Sequence, residues 1–191
     1  MRRSGLASLA FYYFDFRDQG KQDIYGLLSS LLYQLFYQSD SYYNTLSSVY
    51  SIHRDGAQRP GDSALIECLK EMFRTPEQAP VYLVLDGLDE CPDSSKTPSP
   101  REEVLVLLED LVNLHLPNLR ICLTSRPEVD ITSVLEPLDF HSITLHDEEG
   151  QRQDIRDYVK FIVHSDIKMR KWKAEDKDLV IDVLSQKANG M

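Results

Sequence analysis

Val81-Tyr82-Leu83-Val84-Leu85-Asp86-Gly87-Leu88-Asp89-Glu90 is the stretch whose reading decides the fold. Val81–Leu85 is a continuous apolar run, not an alternating one. Such a run suits a central strand of a parallel sheet, covered by helices on both faces. It ends abruptly in a carboxylate, and Gly87 lets the backbone turn at once. In open α/β sheets, ligands bind at the carboxyl ends of the strands. Asp86, Asp89 and Glu90 are therefore the first candidates for a site.

Working outward, the chain alternates strand and helix patterns. Leu9–Phe16 is short, aromatic and β-prone, and reads as a strand. Asp23–Gln38 follows with Ile24, Leu27, Leu28, Leu31, Leu32 and Leu35 at helical spacing. Ser39–Tyr50 is rich in Tyr and Ser and ambiguous between loop and short helix. Arg54–Gly61 reads as a loop, and Asp62 or Ser63 starts a helix reaching about Phe73. Past the acidic stretch, Ser99-Pro100-Arg101-Glu102 is a helix start with a capping box. That helix stops before Pro117. Leu119–Leu123 is a second buried-strand candidate, and it ends in Thr124-Ser125-Arg126-Pro127. Ser142–His146 reads as a short strand. Gln151–His164 and about Lys177–Lys187 read as helices. This alternation predicts an α/β fold with a mostly parallel sheet.

Composition narrows the function. The chain has 191 residues and a formal net charge of −10. So acidic a chain is poorly suited to nucleic acid or to an anionic membrane surface, because phosphate binding needs clustered cations. No apolar run approaches the ~20 residues that span a bilayer. Arg2-Arg3 followed by an apolar run imitates a secretory signal, but the run passes into Asp15 and Arg17 without a small-residue cleavage site. Cys68, Cys91 and Cys122 form no CxxC and no zinc pattern, which fits a reducing compartment. The five histidines show no ligand spacing.

The chemistry gathers where strands end. Three carboxylates within five residues repel one another unless a cation intervenes. Mg²⁺ is the natural one, since it takes oxygen ligands and brings substrate phosphates. Leu119–Leu123 would deliver Thr124, Ser125 and Arg126 to the same edge, where hydroxyls and a cation suit a terminal phosphate. The plainer readings are a solvated acidic turn that caps the next segment, and an Arg126 salt-bridged to a nearby carboxylate such as Asp86.

VYLVLDGLDEC followed by LRICLTSRPE resembles the NACHT class of STAND P-loop NTPases, closest to fungal proteins with a nephrocystin-like nucleotide-binding segment. LAFYYFDFRD, DIRDYVKFIV and KANGM are also similar to stretches of those proteins. The resemblance implies a parallel-sheet P-loop NTPase core of three layers, α/β/α. It divides the chain into a partial core at residues 1–147 and the start of the following helical region at 148–191. Asp86 matches the Walker B aspartate, which holds Mg²⁺ mainly through water. Asp89 and Glu90 match the acidic pair that positions or activates the attacking water, making them the catalytic candidates. Arg126 matches the sensor arginine that reads the γ-phosphate, with Thr124 and Ser125 in support. ATP or GTP with Mg²⁺ is the implied cofactor. Other NACHT protomers or downstream repeat domains are the implied partners, and the cytoplasm the implied location.

One departure counts against activity. A P-loop needs G-x-x-x-x-G-K-[ST], and none of the eight glycines lies in such a sequence. Against the family the chain reads as an incomplete core without its first strand and P-loop, in which cofactor binding is not expected. Two readings stand: the nucleotide-binding part of an ATP- or GTP-dependent signalling switch, or a non-catalytic interaction module that no longer binds nucleotide. Without the first strand, the sheet should run Leu9–Phe16, Val81–Asp86, Leu119–Leu123, with the last strand's outer edge unpaired.

Overall fold

The computed structural model describes residues 6–53, 56–75, 79–94, 97–138, 141–143 and 149–187. It divides into two compact units, residues 1–140 and 141–191.

In the first unit three parallel strands form one sheet: β1 (Ser8–Tyr13), β2 (Val81–Asp86) and β3 (Leu119–Leu123), in the order β1-β2-β3. Ser8, Val81 and Leu119 share a register position, as do Tyr12, Leu85 and Leu123. Helices α1 (Ile24–Phe36), α2 (Asp40–Ile52) and α3 (Asp62–Arg74) connect β1 to β2. Helix α4 (Pro100–Asn113) connects β2 to β3, and the short α5 (Val129–Leu135) follows β3. The ambiguous Ser39–Tyr50 stretch is thus helical, started by the Ser39 hydroxyl. Gly61, rather than Asp62 or Ser63, is the residue that caps α3. The Ser99–Glu102 capping box forms as read.

The sheet departs from the sequence reading in its layers. Val81, Leu83 and Leu85 are buried, but Tyr82 is 41% exposed on the opposite face. Leu9, Phe11 and Tyr13 of β1 stand exposed on that face as well. Ala10, Tyr12 and the buried residues of β2 instead pack with α1, α3 and α4 in one core. The reason is topological. Right-handed crossovers that always step the same way along a sheet put every helix on one face. Covering both faces needs a reversal of strand order, and β1-β2-β3 contains none. The three-layer expectation is therefore not met among the described residues.

The two sheet edges differ. On the outer edge of β1, Leu9 N–H donates to Gln38 Oε1 at 2.9 Å, and Gln38 Nε2 donates to the Leu9 carbonyl at 2.8 Å. Gln34 makes the same pair of bonds with Phe11, at 3.1 and 2.7 Å. Four residues of helix rise about 6 Å and two residues of strand about 6.6 Å, so two amides one turn apart match alternate strand residues. On the outer edge of β3, no partner among the described residues reaches the outward N–H groups of Ile121 and Leu123. The strand read at Ser142–His146 falls largely outside the described residues, and Ser142 and Ile143 are not in a strand.

Helix α1 anchors the core through Leu27, Leu28, Leu31 and Leu35, all buried. Gly26 in its first turn admits the Gly20 carbonyl, which a Cβ would meet at 2.3 Å. In the second unit, α6 (Glu149–Ser165) and α7 (Ala174–Lys187) bury Val163 and Ile181, and Arg156 pairs with Asp182 at 2.6 Å. No helix among the described residues is long and apolar enough to cross a membrane.

Candidate functional site

The carboxyl ends of β2 and β3 lie side by side, and hydrogen bonds stitch them together. Thr124 N–H donates to the Leu85 carbonyl at 2.9 Å, and Leu88 N–H donates to the Thr124 carbonyl at 3.0 Å. Gly87 sits in the left-handed region, with φ 72° and ψ 43°. That conformation reverses the chain directly after Asp86 and starts a single 3-10 turn at Leu88–Glu90. Leu88 is fully buried and pins the turn to the core.

Asp86 is exposed at the strand end. Its Oδ1 accepts from the Thr124 hydroxyl, whose oxygen accepts from Gly87 N–H at 3.0 Å. Asp89 points elsewhere. Its Oδ1 accepts from Arg126 N–H at 3.1 Å and its Oδ2 faces Arg126 Nε at 3.4 Å. Its side chain is only 14% exposed, whereas that of Arg126 is 72% exposed. Glu90 turns back to the segment after β1, where Oε2 accepts from Phe16 N–H at 3.3 Å. Ser125 donates its hydroxyl to the Arg126 carbonyl at 2.8 Å and reaches neither acid.

The three carboxylates therefore do not converge. Asp86 and Asp89 bind Thr124 and Arg126 in the segment after β3, Glu90 binds Phe16 after β1, and the repulsion anticipated from sequence is relieved by these N–H and O–H donors. Among the described residues, no group of three or more His, Cys, Asp or Glu is placed to hold a metal ion. Arg126 does pair with a carboxylate, but with Asp89 rather than Asp86. A hydrated Mg²⁺ still fits Asp86. Among the described residues only Thr124 bonds that carboxylate, through one oxygen, which leaves the other for a water of the ion. Mg²⁺ keeps several waters and binds through one or two carboxylates plus phosphates. Asp89 does not fit as a direct ligand while both its oxygens face Arg126, and Glu90 is turned to Phe16 rather than to Asp86.

Two neighbours support the turn, and the role of the second, Arg101, escaped the sequence reading. Cys91 is fully buried below the turn and donates to the Gln22 carbonyl at 3.3 Å; burial pushes its thiol up to about 12. Arg101, in the first turn of α4, donates from Nε to the Cys91 carbonyl and from Nη2 to the Asp89 carbonyl, each at 2.8 Å. Its Nη1 reaches both oxygens of Asp130 on α5, at 3.3 and 3.1 Å. The signal for Arg101 was a cation in a helix's first turn, where the helix dipole disfavours positive charge.

Residues 1–126 match the family model described as Nephrocystin 3, N-terminal. No curated protein and no solved structure matches the chain. The matched segment covers β1 through β3 and both strand-end turns, well over half of the 191 residues, and the chain belongs to the Nephrocystin 3 N-terminal family.

Proposed function

We propose that the chain is the nucleotide-binding module of a NACHT-type STAND signalling protein, built on a P-loop NTPase core and responding to ATP or GTP with Mg²⁺. One observation carries the reading: Asp86 and Thr124 share a hydrogen bond at adjacent strand ends, with the largely exposed Arg126 beside them. Asp86 is the group that holds the hydrated Mg²⁺, and Thr124 fixes the carboxylate's orientation. Mg²⁺, when bound, supplies charge neutralisation for the nucleotide's phosphates. Arg126 is the phosphate-reading cation, and it exchanges Asp89 for phosphate oxygen. Asp89 becomes available to a water when Arg126 releases it, and Glu90 leaves its place beside Phe16 to face the same water.

The test is a Mn²⁺ titration of the whole chain, followed by water-proton relaxation with ATP or GTP present, for the parent sequence and Asp86→Asn. The reading expects metal-dependent nucleotide binding that is weak, because no G-x-x-x-x-G-K-[ST] occurs among the 191 residues, and that Asp86→Asn removes. Equal Mn²⁺ binding by the two proteins refutes it.

A second reading is a non-catalytic interaction module that keeps the α/β shape. It is favoured by the engagement of Asp89 and Glu90 with backbone N–H groups, a structural use of both acids. It expects no metal-dependent nucleotide binding at all, and binding to another NACHT protomer or to a repeat domain instead.

A further inference from the structure

The guanidinium of Arg101 bridges the turn after β2 and helix α5. A one-turn 3-10 helix leaves its last carbonyls without partners. Here Glu90 N–H takes the Gly87 carbonyl and Cys91 N–H takes the Leu88 carbonyl. The carbonyls of Asp89 and Cys91 are left over, and the fork of Arg101 takes both. The remaining arm holds the Asp130 carboxylate on α5, downstream of β3. The side chain is only 11% exposed, so these partners stand in for water on a permanent charge. Arg101 also sits against the dipole of its own helix, which disfavours a cation in the first turn. A residue that breaks a local rule and satisfies three remote acceptors is placed for what it holds.

We infer that Arg101 is the positioning residue of this site: it locks the acidic turn to α5, so that Asp89 stays where it engages Arg126. The inference rests on the proposed reading only for what the turn is used for. The clamp itself is a property of this chain's own groups. Its chemistry is specific to arginine. The fork presents Nε and Nη2 to two carbonyls while Nη1 points at the carboxylate, and a single ammonium cannot reach all three directions. Lysine at this position keeps the charge and loses the lock.

The experiment is amide hydrogen exchange by NMR on the full chain, comparing the parent sequence with Arg101→Lys. The reporters are the N–H groups of Glu90, Cys91 and Arg126, each bonded within or onto the turn. The ladder amides of β2 and β3 are the reference. Arg101→Lys is expected to speed exchange at the three reporters by at least about tenfold, the factor that one lost charge-assisted hydrogen bond corresponds to. The ladder amides should stay within about twofold, since sub-global opening leaves core strands protected. Equal acceleration everywhere would assign Arg101 a general stabilising role and overturn the inference, and so would no change. If Arg101→Lys does not fold, Asp130→Asn opens the clamp from its other end, and the same pattern or its absence decides. No nucleotide or metal enters this measurement. A failed clamp is thereby separable from a failed Mn²⁺ titration, which tests the nucleotide reading alone.

Discussion

Replacing Gln34 and Gln38 together by alanine tests what holds the β1 edge of the sheet. The double substitution removes four hydrogen bonds between side-chain amides and the backbone of Leu9 and Phe11. It also removes the bonds of Gln34 to Ser30 Oγ and of Gln38 to the Gln34 carbonyl, which steer the two amides onto the strand. A protein hydrogen bond contributes a net ~0.5–1.5 kcal/mol, so two per glutamine give ~1–3 kcal/mol. The edge is open to solvent and water replaces part of each bond, which places the loss near the lower bound, ~1 kcal/mol per glutamine or ~2 kcal/mol for the pair. For a unit of this size that is about 4–8 °C in Tm. A second effect is larger in consequence. The freed N–H and C=O groups of β1 become a template for another strand, so the double variant should self-associate at concentrations where the parent chain does not. Thermal melts by circular dichroism and sedimentation velocity at matched concentration read the two effects. A double variant that melts within a degree of the parent chain and sediments identically would refute the edge-capping argument. Gln38→Glu is a useful control. A carboxylate still accepts from Leu9 N–H but sets an acceptor-only oxygen against the Leu9 and Gln34 carbonyls, so its loss should be no smaller than that of Gln38→Ala.

Three further expectations concern the thiols and Gly87. Cys122 is exposed while Cys68 and Cys91 are buried, with their thiols pushed up by desolvation to about 11 and about 12. Ellman's reagent at pH 8 should therefore find one fast thiol in the native chain and all three after denaturation. A raised thiol pKa contributes stability that is complete below the unfolded value near 9 and is lost as pH rises toward the folded value; denaturation midpoints should fall between about pH 9 and pH 12. Gly87→Ala should cost about 1–2 kcal/mol by chemical denaturation, the strain of a left-handed alanine. Space is not the obstacle, since a Cβ there would find its nearest neighbour, Glu90 Cγ, at 3.7 Å. A much larger loss would show that the turn resists substitution for some reason other than its φ.

The strands and most helices were legible because their signals are local. Val81–Asp86 and Leu119–Leu123 are strands with the bounds read from sequence, and the Ser99 capping box starts α4 where expected. Covering of the sheet was not legible. A continuous apolar run suits a strand covered on both faces, but does not show whether the fold supplies the second cover. Tyr82 and Val84 have side chains as apolar as their neighbours, and only the strand order reveals that no helix of this unit lies over them. Gln34 and Gln38 were equally silent. Read on a helix over Asp23–Gln38 they are its polar flank, and their pairing with β1 exists only once helix and strand are placed together.

The candidate site shows the same division more sharply. Sequence spacing put Asp86, Asp89 and Glu90 within one turn, and the structure keeps them there. Spacing fixes where the α-carbons are, however, and not where the carboxylates go. On a 3-10 turn, successive side chains diverge by about a third of a revolution, so neighbouring acids point apart unless something draws them together. Nearby donors draw each one away: the Thr124 hydroxyl, the Arg126 amide and the Phe16 amide. Those donors come from the ends of β1 and β3, tens of residues distant in the chain. An acidic cluster in a sequence is thus ambiguous between a metal cradle and a set of three ties, because both need the same residues at the same spacing. What separates them is the supply of N–H and O–H groups from elsewhere in the fold. Here that supply turns both oxygens of Asp89 to Arg126, draws Glu90 to Phe16, and leaves one oxygen of Asp86 unbonded by protein donors among the described residues. The case for a bound cation therefore narrows from three carboxylates to one.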